Sequence, residues 1–281
     1  MKTYKEIKVT TIPFDADIVS GMLWQLDIDG VNEFDEYLTV FITETKKTTL
    51  KDVEEILQRL VDEKLIESFQ TEEQIFAEKN WNEEYEKKVR VVEVTDRIVI
   101  KPSFKEYFSK PEQLVLTIDP KMSFGTGEHA TTKLVLQHLE KHVHGGEKVL
   151  DIGSGTGVLG IASVMLGASN AICIDNDEWC LLNGIENVKT NNLANKIEVR
   201  QCELKDVKEN DFDLIVANIN KHILIDIAEL ITSKIKKTGT LILSGLLDID
   251  EADIIGLYAS KGFKLQEQSV VDEWIAIVLK S

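Results

Sequence analysis

A chain of 281 residues, 43% hydrophobic and 29% charged, is globular in composition and long enough for two domains, which excludes a disordered, collagen-like or low-complexity polypeptide. No apolar run approaches the roughly 20 residues that span a bilayer, the N-terminus lacks the apolar core of a signal peptide, and three cysteines without a CxxC pair argue against a disulfide framework or zinc knuckle, so a reducing cytoplasm is the expected compartment. Lysine and arginine number 32 against 49 acidic residues, a net charge of −17, and without a basic footprint to replace phosphate counterions no direct nucleic-acid partner is expected.

The first 78 residues read as a small α/β unit. KEIKVTTI is a strand, and Asp15 to about Leu26 an amphipathic helix that Asp15 or Asp17 can cap. EYLTVFIT alternates as a strand does. Thr48 or Thr49 then caps LKDVEEILQRLVDEK, whose Leu50, Val53, Ile56, Leu57 and Leu60 recur at helical spacing, and SFQTEEQIF closes the sheet. A βαββα-type order of this size predicts a ferredoxin-like α+β sandwich. With 8 basic and 18 acidic residues it carries a net charge of −10, suited either to solubility or to capture of a basic protein. It has no histidine or cysteine, so it reads as a recognition module over residues 1–78.

Residues 79–90 read as a linker helix, whose stretch Asn80–Lys88 is polar apart from Trp81 and Tyr85. Residues 91–281 form the second domain. It begins with the short strands VRVVEV, RIVIKPS and QLVLTID. From Glu147 strands and helices alternate: KVLDI, AICIDND, KIEVRQCE, FDLIVANI and GTLILSG, each followed by a connecting segment, then FKLQEQSV and EWIAIVLK. Apolar strands separated by helices predict a doubly wound, mostly parallel sheet of about seven strands. The last two strands are too close for a crossover helix and should form a hairpin.

Chemistry concentrates in that domain. The strand KVLDI runs into Gly153-Ser154-Gly155-Thr156-Gly157 and an apolar helix, where glycines admit a ligand to the backbone and the helix start offers free N–H groups. Asp175 ends the following strand, 22 residues after Gly153, where a carboxylate can accept both hydroxyls of a ribose. Gly155, Gly157 and Gly160 also fit the pyrophosphate fingerprint of dinucleotide enzymes, leaving a nicotinamide cofactor open. Asp151 favours S-adenosylmethionine instead, since an acid there repels pyrophosphate and attracts a sulfonium nucleoside. Asn218 ends FDLIVANI at the expected switch-point crevice, where it can accept hydrogen bonds from an amine or simply turn the chain.

A third segment, DPKMSFGTGEHATT (residues 119–132), is an irregular loop leading into a helix that Thr131 or Thr132 can cap. His129 there is adjacent to Glu128 but lacks the second histidine of a zinc motif. His142 and His144 form H-x-H with no third ligand in sequence, so no metal is assigned.

DPKMSFGTGEHATT, VLDIGSGTG, the Asp175 strand end and VANIN together resemble the methyltransferases that modify the eleventh protein of the large ribosomal subunit. The FGTG-x-H-x-TT block is the specific signal, because the glycine loop is common to class I methyltransferases. The small leading domain, the NW…Y segment and IKPSF extend the resemblance over nearly the whole chain. The resemblance implies a class I methyltransferase sheet, S-adenosylmethionine as methyl donor, and a protein N-methyltransferase. It implies donor contacts from Thr132, Gly153, Gly155, Asp175 and Asn218, with Asn218 also catalytic. Phe124, Thr126 and His129 would line the pocket where donor and amine meet. The leading domain would grip a basic, lysine-rich ribosomal protein, swinging on the linker to present lysine side chains and the N-terminal amine. Asn220, Ala130 and Ser154 depart from the usual Leu, Pro and Cys, and Asn220 bears on the amine side of the pocket. Nothing demands a dimer, and a monomer is expected. A class I methyltransferase for another protein or a small molecule is the alternative, ahead of an oxidoreductase or a binding module.

Overall fold

The structure is a computed structural model that describes residues 3–43, 45–77, 89–121 and 123–281. Two compact units divide the chain, Met1–Glu86 and Lys87–Ser281. The expected linker helix at residues 79–90, with Trp81 and Tyr85, lies outside the described residues except for positions 89–90, which belong to no regular element.

The leading unit runs β1 (Thr3–Ile12), α1 (Ala16–Leu23), β2 (Gly30–Glu33), β3 (Leu38–Thr43), α2 (Leu50–Asp62) and β4 (Ser68–Ala77). Its sheet order is β2-β3-β1-β4, and every neighbouring pair is antiparallel. Asp15 starts α1 by accepting the Ile18 N–H at 3.2 Å. Thr49 starts α2 in a reciprocal capping box: the Asp52 N–H donates to Thr49 Oγ1 at 3.4 Å and the Thr49 N–H to Asp52 Oδ2 at 2.8 Å. The apolar stripe of α2, Val53, Ile56, Leu57 and Leu60, packs on the inward residues of β1 and β3. β2 was not legible in sequence: GVNE has no alternation, and its residues are half-buried or exposed, so pairing with Leu38–Phe41 alone defines it.

In the second unit a three-stranded sheet, β5 (Val92–Glu93), β6 (Ile98–Lys101) and β7 (Leu114–Thr117), precedes the main one. The main sheet contains β8 (Lys148–Ile152), β9 (Asn170–Asp175), β10 (Ile197–Gln201), β11 (Phe212–Asn218), β12 (Ile235–Leu247), β13 (Lys264–Val271) and β14 (Trp274–Lys280), in the order β10-β9-β8-β11-β12-β14-β13. The first five in that order are parallel, and β14 runs antiparallel to both its neighbours, giving the expected terminal hairpin. The helices are α3 (Ala130–His142), α4 (Val158–Leu166), α5 (Glu178–Thr190), α6 (Lys221–Asp226), α7 (Ala228–Lys234) and α8 (Glu251–Ala259). The segment after β11 holds two short helices, α6 and α7, where one was expected, and β12 begins at Ile235, earlier than the GTLILSG stretch suggests.

Strand alternation sends side chains to two cores. Val149, Leu214 and Val216 face α3 and α4, while Leu150, Ile215 and Ala217 face α7 and α8. Both faces being covered explains why these strands read as continuous apolar runs. Strand order reverses between β8 and β11, so the connections beyond Ile152 and Asn218 leave to opposite sides and open a crevice at the carboxyl edge.

Candidate active site

A cavity of about 660 Å³ occupies that crevice, within the usual range for small-molecule sites. Its floor is the turn after β8. Gly155 lines it with φ +52°, and a Cβ there would collide with the Phe124 carbonyl, so the position requires glycine for both conformation and space. The Gly155 N–H donates to Asp175 Oδ2 at 2.9 Å and the Asp177 N–H to Oδ1 at 3.1 Å. These two bonds hold the Asp175 carboxylate at the cavity edge, and each oxygen keeps a lone pair for a hydroxyl. Gly153 lines the same floor.

The loop at residues 123–129 lies directly on this turn. The Thr156 N–H donates to the Phe124 carbonyl at 2.9 Å, and Thr156 Oγ1 donates to the Gly125 carbonyl at 2.9 Å. One side of the cavity is then an aromatic wall. The rings of Phe124 and His129 stand edge to face at 5.2 Å, and those of His129 and Trp274 at 4.9 Å. Phe124 is 53% exposed, with its ring available to a ligand. His129 caps α3: its Nδ1 accepts the Thr131 N–H at 3.3 Å and lies 2.8 Å from Thr131 Oγ1. An accepting Nδ1 places the ring proton on Nε2.

An asparagine ladder on α5 fixes the segment that feeds the loop. Asn183, Asn187 and Asn191, spaced by four, share one helix face. Asn191 exchanges two hydrogen bonds with the Thr117 backbone, at 2.9 and 2.7 Å. Asn187 accepts the Asp119 N–H at 3.0 Å and donates to the Thr156 carbonyl at 2.9 Å, and Asn183 donates to the Asp119 carbonyl at 2.7 Å. Asn187 thus ties both loops of the site to one helix.

Across the crevice, Asn218 ends β11 and lines the cavity. Its Oδ1 is buried with no hydrogen-bond partner among the described residues, although the neighbouring Ile219 N–H donates to the Ser244 carbonyl at 3.1 Å. A buried acceptor of this kind is costly unless something completes it. Asn220 follows at the start of α6, where its side chain makes no cap and also lines the cavity. Ile152, Ile174, Leu204, Ile223 and Ile227 make the rest largely apolar.

Of the residues singled out in sequence, Gly153, Gly155, Asp175, Asn218, Phe124 and His129 come together around this cavity. Four details differ. Thr132 does not line it: the side chain is 1% exposed and its Oγ1 has no partner among the described residues, while Thr131 is the threonine that lines the wall. Thr126 does not line it either, because its hydroxyl turns back to accept the Glu128 N–H at 3.2 Å and shapes the loop. Neither Thr131 nor Thr132 caps α3, since His129 does so one residue before the helix. Asp151 also departs from its expected place beside the ligand. It is fully buried behind the turn, accepts the Gly160 N–H at 3.0 Å, and burial pushes its carboxyl up to about 7. Its role is to hold the turn against α4, not to face a cation. Trp274 and the asparagine ladder were missed. The spacing of four in NGIENVKTNN was the available signal for the ladder, whereas nothing local marks Trp274.

No cluster of metal-ligating side chains falls in the cavity among the described residues. Among them too, no helix is long and apolar enough to cross a membrane.

Comparison with known proteins agrees with this geometry. The family model described as Ribosomal protein L11 methyltransferase (PrmA) matches residues 4–281. A relative of that name from Chlorobaculum parvum is 34% identical over 99% of this chain and 98% of its own. Another, from Brevibacillus brevis, is 36% identical over 72% of this chain, and the match spans 65% of the relative's length. A solved structure of a ribosomal protein L11 methylase from Lactobacillus delbrueckii subsp. bulgaricus superposes with a TM-score of 0.64 at 27% identity, over 68% of this chain and 97% of that one.

Proposed function

The chain belongs to the ribosomal protein L11 methyltransferase family, and from that premise we propose that it transfers methyl groups from S-adenosylmethionine to lysine side chains and the N-terminal amine of a basic large-subunit ribosomal protein. The observation that carries the reading is Asn218 Oδ1, a buried acceptor without a partner among the described residues, set in a cavity of nucleoside size opposite Asp175.

The residues present fit the donor. Asp175 is oriented to accept the ribose hydroxyls, the glycine positions leave the floor clear of Cβ atoms, and the apolar wall with Leu204 and Ile174 suits a base. Thr131 takes the donor-side place expected of Thr132, and Thr126 acts by shaping the loop. When bound, S-adenosylmethionine supplies an electrophilic methyl group on a sulfonium that leaves as a neutral thioether. The protein's part is alignment and exclusion of water, since in-line displacement gains most from a fixed attack geometry. Asn218 Oδ1 accepts an N–H of the incoming amine and turns its lone pair toward the methyl group. Phe124 and His129, backed by Trp274, form the wall along which the amine enters. A lysine amine, with an ordinary pKa near 10.4, costs on the order of 4 kcal/mol to deprotonate at neutral pH. The apolar wall offsets part of that by disfavouring the ammonium form. No side chain of the site needs to serve as general base, because solvent takes the proton before the amine enters.

The leading unit, with its β1-α1-β2-β3-α2-β4 order and antiparallel sheet, is read as a ferredoxin-like recognition module. Its acidic surface complements a lysine-rich protein. In this reading the enzyme acts as a cytoplasmic monomer without touching nucleic acid.

Asn218→Ala tests the catalytic role. Methyl transfer should fall by about two orders of magnitude, the scale of losing one aligned polar group at a reacting centre, with calorimetric donor affinity changed far less. Wild-type turnover with weakened donor binding would remove Asn218 from the chemistry.

A further inference from the structure

A second cluster of donor atoms lies on the far half of α3, outside the cavity. His138 and His142, one helical turn apart, share a face that looks toward Glu267 of β13. His142 Nε2 is 3.2 Å from Glu267 Oε2, and His138 Nδ1 is 3.7 Å from the same oxygen. One ligand atom from each residue falls within 4.8 Å of the others. His138 is 0% exposed, and neither ring nitrogen has a hydrogen-bond partner among the described residues. Buried imidazoles ordinarily have their nitrogens satisfied, which singles this one out.

We infer that His138, His142 and Glu267 form a zinc site that staples α3 to the edge strand β13. Two imidazoles and a carboxylate are a common donor set for zinc. Bonds of roughly 2.1 Å in a tetrahedral ion hold ligand atoms roughly 3.4 Å apart. The two observed separations bracket that value, and the third is within 4.8 Å. Lys141, the cation facing the cluster, pairs with Glu267 Oε1 and leaves Oε2 to the metal. His142 and Glu267 are 20% and 31% exposed, so water can take the fourth position. His144, which the sequence pairs with His142, has no part in the cluster. The third ligand comes from a strand far along the chain. At roughly 1.5 Å per residue, His138 lies roughly 14 Å along the chain from the His129 cap, so the site is separate from the cavity.

The test uses the untagged full chain, stripped with EDTA and titrated with zinc sulfate against a chromophoric chelator. One equivalent of zinc per chain is expected, with affinity reduced at least tenfold in His142→Ala and Glu267→Gln and unchanged in His144→Ala. Circular dichroism of each variant confirms that it is folded. Zinc should raise the melting temperature of the wild type and not of His142→Ala, and cobalt in its place should give the visible absorption of a four-coordinate ion. A folded wild type that takes up no zinc, or His142→Ala and Glu267→Gln variants that bind as the wild type does, would overturn the assignment.

Discussion

Two carboxylates one strand apart show how residue identity leaves a role open until packing decides it. Asp151 and Asp175 both end strands beside the glycine turn, yet Asp175 lines the cavity while Asp151 is sealed behind it. Burial pushes Asp151 up to about 7, above its ordinary value of about 3.9. The folded state therefore holds the proton more tightly than the unfolded chain does. That contribution to stability is fully present below about pH 4 and is lost as pH rises through about 7. Asp151→Asn keeps an acceptor for the Gly160 N–H and cannot ionise. Its melting temperature relative to wild type should rise from pH 5 to about pH 7 and level off above that, measured by thermal scans at each pH. Parallel curves would mean that Asp151 is not the group that titrates.

At the scale of elements, the site is two loops clamped to one helix. Asn187 on α5 bonds the Asp119 N–H ahead of one loop and the Thr156 carbonyl within the other. Asn187→Ala leaves both groups unpaired in a buried place, a cost of about 1–3 kcal/mol. It should lower the melting temperature and weaken donor binding by calorimetry. A loss of stability with unchanged donor affinity would show that the ladder does not position the loops. The elements themselves were largely legible in sequence. β8, β9, β11 and β12 are buried on both faces and so write apolar runs, and Thr49 with Asp52 writes its cap directly. β2 is too short and exposed to show a period. What the sequence concealed was tertiary proximity. Trp274 reaches His129 only because the terminal hairpin returns β14 beside β12, and Glu267 reaches His142 for the same reason. The cap of α3 falls on His129 and not on Thr131 or Thr132, and a histidine cap has no comparable preference to signal it in sequence.

For the whole molecule, charge is the separable property. Residues 1–78 carry a net −10 of the chain's −17, while every cysteine, every histidine and the glycine turn belong to residues 91–281. If the leading unit recognises a basic protein, its attraction is screened as ionic strength passes about 0.15 M, where the Debye length is about 8 Å. The KM for the protein substrate should then rise with salt while the KM for the donor, set in a largely apolar cavity, stays level. Equal salt dependence of both would separate the acidic surface from recognition. The proposed methyl transfer to amines of one ribosomal protein is read out by intact mass spectrometry. The full chain is incubated with S-adenosylmethionine and the ribosomal proteins of its own source. A ladder of single CH2 increments on one large-subunit protein, absent in Asn218→Ala, is the expected result. No increment on any ribosomal protein, while calorimetry still shows donor binding, would contradict the substrate and leave a methyltransferase acting elsewhere.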